Sequence, residues 1–127
     1  MEQYHKPHTK KVGAGTGGRR RKFRDKKRSH VGGVFAATKV AAKELKVSVR
    51  GRGGAVGIKL KKAVLINVVL KDGKMKKLHI KRVLESHNPE YVRMNIITRG
   101  AVVETEAGKV KVTNRVGQDG VVNGVAV

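Results

Sequence analysis

Cysteine is absent from the 127 residues, and aromatic side chains are scarce, with two Tyr, two Phe and no Trp. Without cysteine the chain can form neither a disulfide framework nor a thiolate zinc site, and it has no Cys nucleophile. So few aromatic rings also argue against a sheet that binds single-stranded nucleic acid by stacking bases. Zinc fingers are therefore excluded, and stacking platforms are disfavoured.

Long apolar runs are missing as well, and acidic residues are few. No segment approaches the roughly 18 apolar residues of a membrane-spanning helix, and no signal-peptide pattern follows the first residue. Nine Asp/Glu stand against 30 Lys/Arg, which gives a net charge of +21 at pH 7. A chain with this charge repels itself unless a polyanion neutralises it, and nucleic acid is the commonest polyanion. The composition predicts a soluble, intracellular protein that binds a polyanion.

The positive charge is graded along the chain. Residues 1–30 carry eleven Lys/Arg and two acids (net +9), residues 31–90 fourteen and four (+10), and residues 91–127 five and three (+2). Up to Arg28 the chain has so few apolar side chains that burial cannot offset the entropy lost on ordering. We therefore predict a basic, intrinsically disordered arm over residues 1–30 and a single β-rich domain over residues 31–127.

The predicted domain contains several segments with the pattern of short strands. Residues 46–50 alternate polar and apolar side chains, and residues 63–70 form the most apolar run, rich in β-branched residues. Residues 74–83 follow an Asp72-Gly73 pair, and Asp-Gly between two such runs is a strong hairpin signal because both turn residues take positive φ. Met75 and Val83 are out of phase with Leu78 and Ile80 of this return strand, so we expect a bulge or a twist in it.

The rest of the domain continues this pattern. Asn88-Pro89 predicts an N-cap followed by proline at the first position of a short helix. Residues 101–106 and 109–113 predict a second hairpin, and residues 121–127 are predicted to close the sheet. Short strands separated by glycine turns indicate a mainly β fold, either a small β-barrel or a sandwich.

The densest feature of the sequence is a run of eight cations within residues 19–28. Arg can donate two hydrogen bonds to one phosphate, and Lys is a compact point charge. The mixture therefore suits closely spaced phosphates. The alternative is a solvated basic tail or a localisation signal, but a basic run this dense usually binds a partner. Phe23, the one aromatic residue in the run, is either a local packing anchor or a side chain that stacks on an unpaired base.

Three other patterns contain residue types that also occur in cofactor, metal or catalytic sites. Residues 13–18 match G-x-G-x-x-G, but no apolar strand precedes them, so we interpret them as a flexible segment that approaches phosphate closely. His5 and His8 lack a third ligand, and we interpret them as surface or RNA-contacting residues. Glu104 and Glu106 are expected to share one face of a strand and to pair with lysines across the second hairpin. The sequence predicts no enzyme, no metal site and no cofactor.

Four segments carry a resemblance to a known family. Residues 15–28 contain T-G-G followed by the basic run, residues 49–54 read V-R-G-R-G-G, residues 95–101 read N-I-I-T-R-G-A, and residues 112–123 read V-T-N-R-V-G-Q-D-G-V-V-N. Together they resemble the S8e family of small-subunit ribosomal proteins, which occurs in archaea and eukaryotes and is distinct from the bacterial protein with the same numeral. The short length is similar to that of the archaeal members.

The resemblance has consequences for the fold. It implies a β-barrel-like body seated on small-subunit ribosomal RNA, with the arm threaded into the RNA and ordered there. Residues 34–46 are Ala-rich and have the composition of a short amphipathic helix, whereas the resemblance implies that they are extended. The chain departs from the family pattern at residues 29–33 and at Ala55, and this leaves the detailed contacts of those two segments open.

We therefore expect a structural constituent of the small ribosomal subunit, located in the cytoplasmic ribosome, that supports assembly and translation. It would bind 16S-type ribosomal RNA by phosphate neutralisation and shape, with neighbouring ribosomal proteins as further partners and no membrane or small-molecule substrate. The alternative is a DNA-compacting nucleoid protein, although such a protein usually presents a symmetric basic face and this charge is loaded at one end. The expected RNA-binding residues are, in the arm, His5, Lys6, Lys10, Lys11, Arg19, Arg20, Arg21, Lys22, Arg24, Lys26, Lys27 and Arg28; beside the glycines of the body, Arg50 and Arg52; and at the expected hairpin ends, Lys61, Lys62, Lys74, Lys76 and Lys77.

Overall fold

Residues 34–127, together with Gly15 and Gly18, are described by the computed structural model. The predicted arm and its boundary with the domain lie outside the described residues, so both stay predictions. Residues 36–127 form one folded unit. Its strands are β1 (Lys39–Val40), β2 (Leu45–Arg50), β3 (Val56–Ala63), β4 (Leu65–Val69), β5 (Met75–Glu85), β6 (Val102–Thr105), β7 (Gly108–Val112) and β8 (Asn123–Ala126), and its helices are α1 (Pro89–Arg93) and α2 (Val116–Asp119).

Five strands close into a barrel in the order β4, β5, β6, β7, β8. Neighbouring strands are antiparallel except at the closure, where β8 runs parallel to β4 and Asn67 lies opposite Asn123. The side chains of this pair bond to each other, with Asn67 Nδ2 donating to Asn123 Oδ1 over 2.9 Å. The predicted closing role of residues 121–127 and the mainly β, barrel-like fold are thereby confirmed.

The barrel interior is filled by side chains from alternate positions of its strands. Ile66, Val68, Val103, Val110 and Val112 are each at most 1% exposed. They occupy every second residue because successive side chains of a strand point to opposite faces of the sheet. A five-stranded barrel of this kind has room for a packed core, which the β-branched residues supply.

The second sheet has the order β1, β3, β2, with β3 in the centre. Strand β3 was not predicted, because Gly57 and the lysines that follow it lower the strand propensity of this segment. Its alternation of Val56, Ile58 and Leu60 is the signal that would have revealed it. Leu60 alone of these three is buried, so β3 reaches the core only with its carboxyl-terminal half.

Residues 34–46 contain no helix, so the helix interpretation from composition is wrong and the extended conformation implied by the resemblance is confirmed. Tertiary contacts explain the outcome. Val40 N donates to Asn95 O over 3.1 Å, and the buried Thr38 Oγ1 donates to Leu60 O over 2.6 Å. These bonds tie the segment to two distant parts of the domain and override its modest helix propensity.

The hairpin predicted around Asp72-Gly73 is confirmed, but the positive φ predicted for both turn residues is found at Gly73 and not at Asp72. It connects β4 to β5, Gly73 has a φ of 75°, and Leu70 N donates to Lys74 O over 2.9 Å. The bulge or twist predicted for the return strand is present at Val83, because the register between β5 and β6 shifts on both sides of it. At Met75 the register with β4 is regular. The bulged strand can therefore pair with β4 through its first half and with β6 through its second.

The ion pairing predicted for the second hairpin is wrong. Glu104 Oε2 forms its ion pair with Arg82 Nε on β5, at 2.6 Å, although Lys109 on β7 stands opposite Glu104 on its other side. Arg82 stands directly opposite Glu104 in the register of β5 and β6, and a guanidinium offers a carboxylate a charge-assisted hydrogen bond of good geometry. Glu106 lies beyond the end of β6, in the turn, and so does not share the strand face of Glu104.

Helix α1 begins as predicted, with Asn88 as its N-cap. The side-chain Oδ1 of Asn88 accepts from Glu90 N over 3.0 Å, and Pro89 occupies the first helical position.

We expect Asn88→Ala to lower the free energy of unfolding by about 1 kcal/mol, because the Glu90 amide loses its acceptor. Urea unfolding monitored by circular dichroism measures this loss. Gln118→Ala, an exposed change in α2, is the control and should shift stability by less than about 0.5 kcal/mol; equal losses would contradict the cap.

Candidate nucleic-acid interface

The hairpin formed by β2 and β3, residues 45–63, is here called the ribbon. Its strands pair antiparallel with Arg50 opposite Val56. Adjacent cross-strand pairs face opposite sides of a sheet, and both sides of the ribbon meet solvent, since Val47 is 39% and Ile58 is 50% exposed. The ribbon therefore offers two open faces towards its tip and joins the core at its base.

The ribbon carries positive charge without any carboxylate of its own. Its sequence contains six Lys/Arg and no Asp or Glu, and the next acid along the chain is Asp72. Glu44, at the base, forms an ion pair with Lys46 at 3.1 Å. No acid follows along the ribbon between this pair and the tip. Asp119 ends the short helix α2, and a Cβ at the next residue, Gly120, would lie 3.0 Å from Ile58 Cγ2 of the ribbon. The cations of the ribbon outnumber the acids beside them, which suits it to bind phosphate.

The tip of the ribbon is a tight loop that carries the two arginines predicted for RNA contact. Residues 51–55 close through a 2.6 Å backbone hydrogen bond between the first and the last of them. Gly53 and Gly54 have φ values of 65° and 78°, a conformation that side chains other than glycine disfavour. Arg50 is exposed at the end of β2, and the backbone of Arg52 lies in the 3₁₀ turn of this loop. The glycines thus place both arginines at the outermost part of the ribbon.

Lys61 and Lys62 do not lie at a hairpin end, which corrects their predicted position. Both belong to β3, near the base of the ribbon, because the strand runs on to Ala63. Lys61 is half-buried and its Nζ donates to Ala36 O over 3.2 Å, so it is bonded to the segment that leads into β1. Lys62 is exposed and faces solvent between β1 and β2.

A second group of cations lies at the hairpin between β4 and β5. Lys74, Lys76 and Lys77 are all exposed, in the turn and the first residues of β5, as predicted. Lys71 is exposed in the same turn, and Asp72 is the one acid beside it. The structure therefore presents predicted RNA-binding residues on two separate hairpins, one from each sheet.

Two cations of the ribbon escaped the sequence analysis. Lys46 and Lys59 lie on β2 and β3, in neighbouring cross-strand pairs. The alternation that reveals β3 would have placed Lys59 on a strand beside the glycine-rich segment. Lys46 is paired with Glu44 at 3.1 Å and Arg93 with Glu90 at 2.6 Å on α1, so both are partly neutralised and suit phosphate binding less well.

The remaining predicted residues lie outside the described part of the chain. These are the arm residues His5, Lys6, Lys10, Lys11, Arg19, Arg20, Arg21, Lys22, Arg24, Lys26, Lys27 and Arg28. The same holds for Phe23, for the histidine pair and for most of the glycine-rich segment that precedes the basic run. Their roles stay predictions.

Among the described residues, no group of three or more His, Cys, Asp or Glu is placed to hold a metal ion. Within residues 34–127 there is likewise no helix long and apolar enough to cross a membrane. The feature of this part of the chain that suits it to bind a ligand is the positive charge on its exposed strands.

The closed barrel, the acid-free ribbon and the net charge of +21 define a class: small, basic β proteins whose surface is suited to a polyanion. The family model described as ribosomal protein S8e matches residues 5–127. The chain belongs to the ribosomal protein S8e family.

Relatives from several archaea are similar over most of the chain. A protein of Staphylothermus marinus is 44% identical over 112 residues, which cover 87% of this chain and 88% of the relative. A protein of Nanoarchaeum equitans is 43% identical over 106 residues (82% and 83%), and one of Hyperthermus butylicus is 40% identical over 130 residues (100% and 93%). Each of the three is named small ribosomal subunit protein eS8.

Proposed function

We propose that this protein is a structural constituent of the small ribosomal subunit, in the cytoplasmic ribosome, and that it binds small-subunit ribosomal RNA through its arm and its ribbon. Membership of the S8e family and the shared name of its relatives support the place in the small subunit. None of these relatives carries a name that supports DNA compaction. The role in assembly and translation is structural, and no enzymatic step is assigned to the protein.

The observation that carries RNA binding by the body is the ribbon. The hairpin has six cations and no carboxylate of its own. Lys61 is half-buried and bonded to Ala36 O, and Lys46 is paired with Glu44, but the cations near the tip attract phosphate more strongly than cations scattered among acids. The aliphatic side chains on both ribbon faces favour recognition of phosphate and shape over base stacking. Affinity therefore comes largely from the release of counterions, and binding is steeply dependent on salt.

The arm and the body divide this work. The eight cations of residues 19–28 neutralise closely spaced phosphates, and the entropy lost when the arm orders is offset by these contacts. The body supplies position, because its barrel holds the ribbon in one orientation. Lys74, Lys76 and Lys77 extend the cationic surface to the second hairpin.

Replacement of both tip arginines tests the ribbon. We expect Arg50→Gln with Arg52→Gln to reduce the slope of log K against log salt by about 1.5, since each lost phosphate contact removes about 0.7 to 0.9. Filter binding of the full chain to small-subunit ribosomal RNA, over a salt series, measures the slope. The fold should be unaffected, because Arg50 is exposed and both residues lie at the tip.

Arg93→Gln is the control. It removes one positive charge, against two in the tip variant, from an exposed side chain that is already paired with Glu90, so its effect on the slope should be well below half of that of the tip variant. A double variant at the tip with the slope of the parent chain would show that the ribbon does not contact phosphate. Excess duplex DNA, added as a competitor, should displace little of the bound RNA; efficient displacement would favour DNA compaction.

A further inference from the structure

Three side chains on the outside of the barrel form a continuous apolar row across three strands. Val69 of β4 lies directly opposite Met75 of β5 on one side and Val125 of β8 on the other. Cross-strand neighbours of this kind are about 5 Å apart at Cβ. We call Met75, Val69 and Val125 the apolar row.

The row faces outward, away from the barrel core. Its chain neighbours Val68 and Gly124 are buried on the inner face, and side chains alternate along each strand. Met75 is 72% exposed and Val125 is 45% exposed. Val127, at 67%, extends the apolar surface beyond the end of β8. A run of exposed apolar side chains on adjacent strands marks an interaction site more often than single exposed residues do.

Lysines border the row. Lys111 lies opposite Val125 on β7, and the backbone of Lys109 accepts a hydrogen bond from Val127 N over 3.1 Å. Lys77 occupies the position two residues beyond Met75, on the same face of β5. An apolar centre with a charged rim is the anatomy of a protein–protein interface.

We infer that the apolar row is a docking site for another protein, through a segment whose apolar side chains are flanked by Asp or Glu. The charge of the rim selects the acidic flank. A second copy of this chain is a poor occupant, because each copy carries +21 and brings further lysines to the contact. RNA phosphates would pair with the lysines. Phosphate and ribose would then lie against valine and methionine, and such polar groups do not stabilise apolar side chains. This surface goes beyond RNA binding and gives the protein a second contact, which adjoins the proposed RNA surface at Lys77.

A photo-crosslinker tests the inference in the assembled particle. The full chain carries p-benzoylphenylalanine at Val125 and is incorporated into small subunits, with co-sedimentation as the check on incorporation. After irradiation and RNase digestion, mass spectrometry identifies the product. We expect a crosslink to a protein segment that has Asp or Glu within a few residues of the reacted position. A product with ribosomal RNA, or none, from subunits that carry the protein would overturn the inference.

Binding of the identified segment, made as a synthetic peptide, gives the second measurement. We expect Met75→Lys with Val125→Lys to weaken its binding to the full chain at least tenfold. Val47→Lys with Val56→Lys, which adds the same charge to exposed valines of the ribbon, is the matched control and should leave peptide binding unchanged. Equal effects of the two double variants would also overturn the inference.

The same variants separate this site from the proposed function. Met75→Lys with Val125→Lys adds two cations, one of them between Lys74 and Lys76, so it should bind isolated small-subunit ribosomal RNA at least as well as the parent chain does. Failure of RNA binding in the parent chain would count against the proposed function, whereas retained RNA binding with an unchanged peptide affinity counts against the docking site alone.

Discussion

Deletion of residues 1–28 is expected to remove most of the salt dependence of RNA binding. The deleted segment holds eleven of the 30 Lys/Arg, eight of them within residues 19–28. At about 0.7 to 0.9 per phosphate contact, the loss of those eight alone lowers the slope of log K against log salt by about 6 to 7, and the loss of Lys6, Lys10 and Lys11 lowers it further. The same filter-binding series on small-subunit ribosomal RNA measures it, and an unchanged slope would refute a phosphate-binding arm.

The shortened chain should still fold, which keeps this test interpretable. Residues 36–127 form their own unit with their own core, so a cooperative thermal transition should remain. A chain of the original length in which Arg19, Arg20 and Arg21 are replaced by Gln is the control for length. Its slope should fall by about 2 to 3, in proportion to the three charges removed.

Gly124→Ala is expected to destabilise the barrel strongly. A Cβ at this position would lie 2.5 Å from Val110 Cγ1, 2.9 Å from Lys111 O and 3.0 Å from Ile66 Cδ1. The carbonyl belongs to the ladder between β7 and β8 and cannot move without disturbing the closure. We expect a loss of about 2–3 kcal/mol from overpacking, which lowers Tm by about 10–20 °C for a domain of this size. Thermal unfolding by circular dichroism measures it.

Gly57→Ala is the matched control, since both glycines lie within strands. The nearest atom to a Cβ at Gly57 is Val49 O, at 3.9 Å, so the methyl group fits. We expect Gly57→Ala to be neutral or to raise stability by up to about 1 kcal/mol, because alanine restricts the unfolded chain. If the two substitutions cost the same, close packing at the barrel closure would not be the cause.

Much of the local structure could be predicted because its signals are local. Asn88-Pro89 specified the start of α1, Asp72-Gly73 specified the turn between β4 and β5, and alternation specified β2. Strand β3 was missed because its apolar residues are interrupted by Gly57 and by lysines, and its partner β1 has only two residues. Residues 34–46 show the opposite case, in which composition favoured a helix and hydrogen bonds to distant strands decided against it.

In the candidate site, too, local features could be predicted and contacts between distant residues could not. The sequence indicated that Arg50 and Arg52 stand beside glycines, and the structure places them at the tip of an exposed ribbon. It could not indicate that Lys61 turns inward to hold Ala36 O, because that contact joins residues far apart in the chain. The apolar row escaped notice for a similar reason, since Met75, Val69 and Val125 become neighbours only when three strands pair.

The sequence by itself determined the class of partner, the absence of disulfide and thiolate chemistry, and the turns. Net charge, residue type and turn chemistry depend on a residue and its immediate neighbours. Only the tertiary structure decided that β8 closes the barrel against β4, that Glu104 pairs with Arg82, and which cations reach solvent. These outcomes depend on the register between strands such as those of Asn67 and Asn123, which lie 56 residues apart. Register is set by how well the whole core packs, and no short segment contains that information.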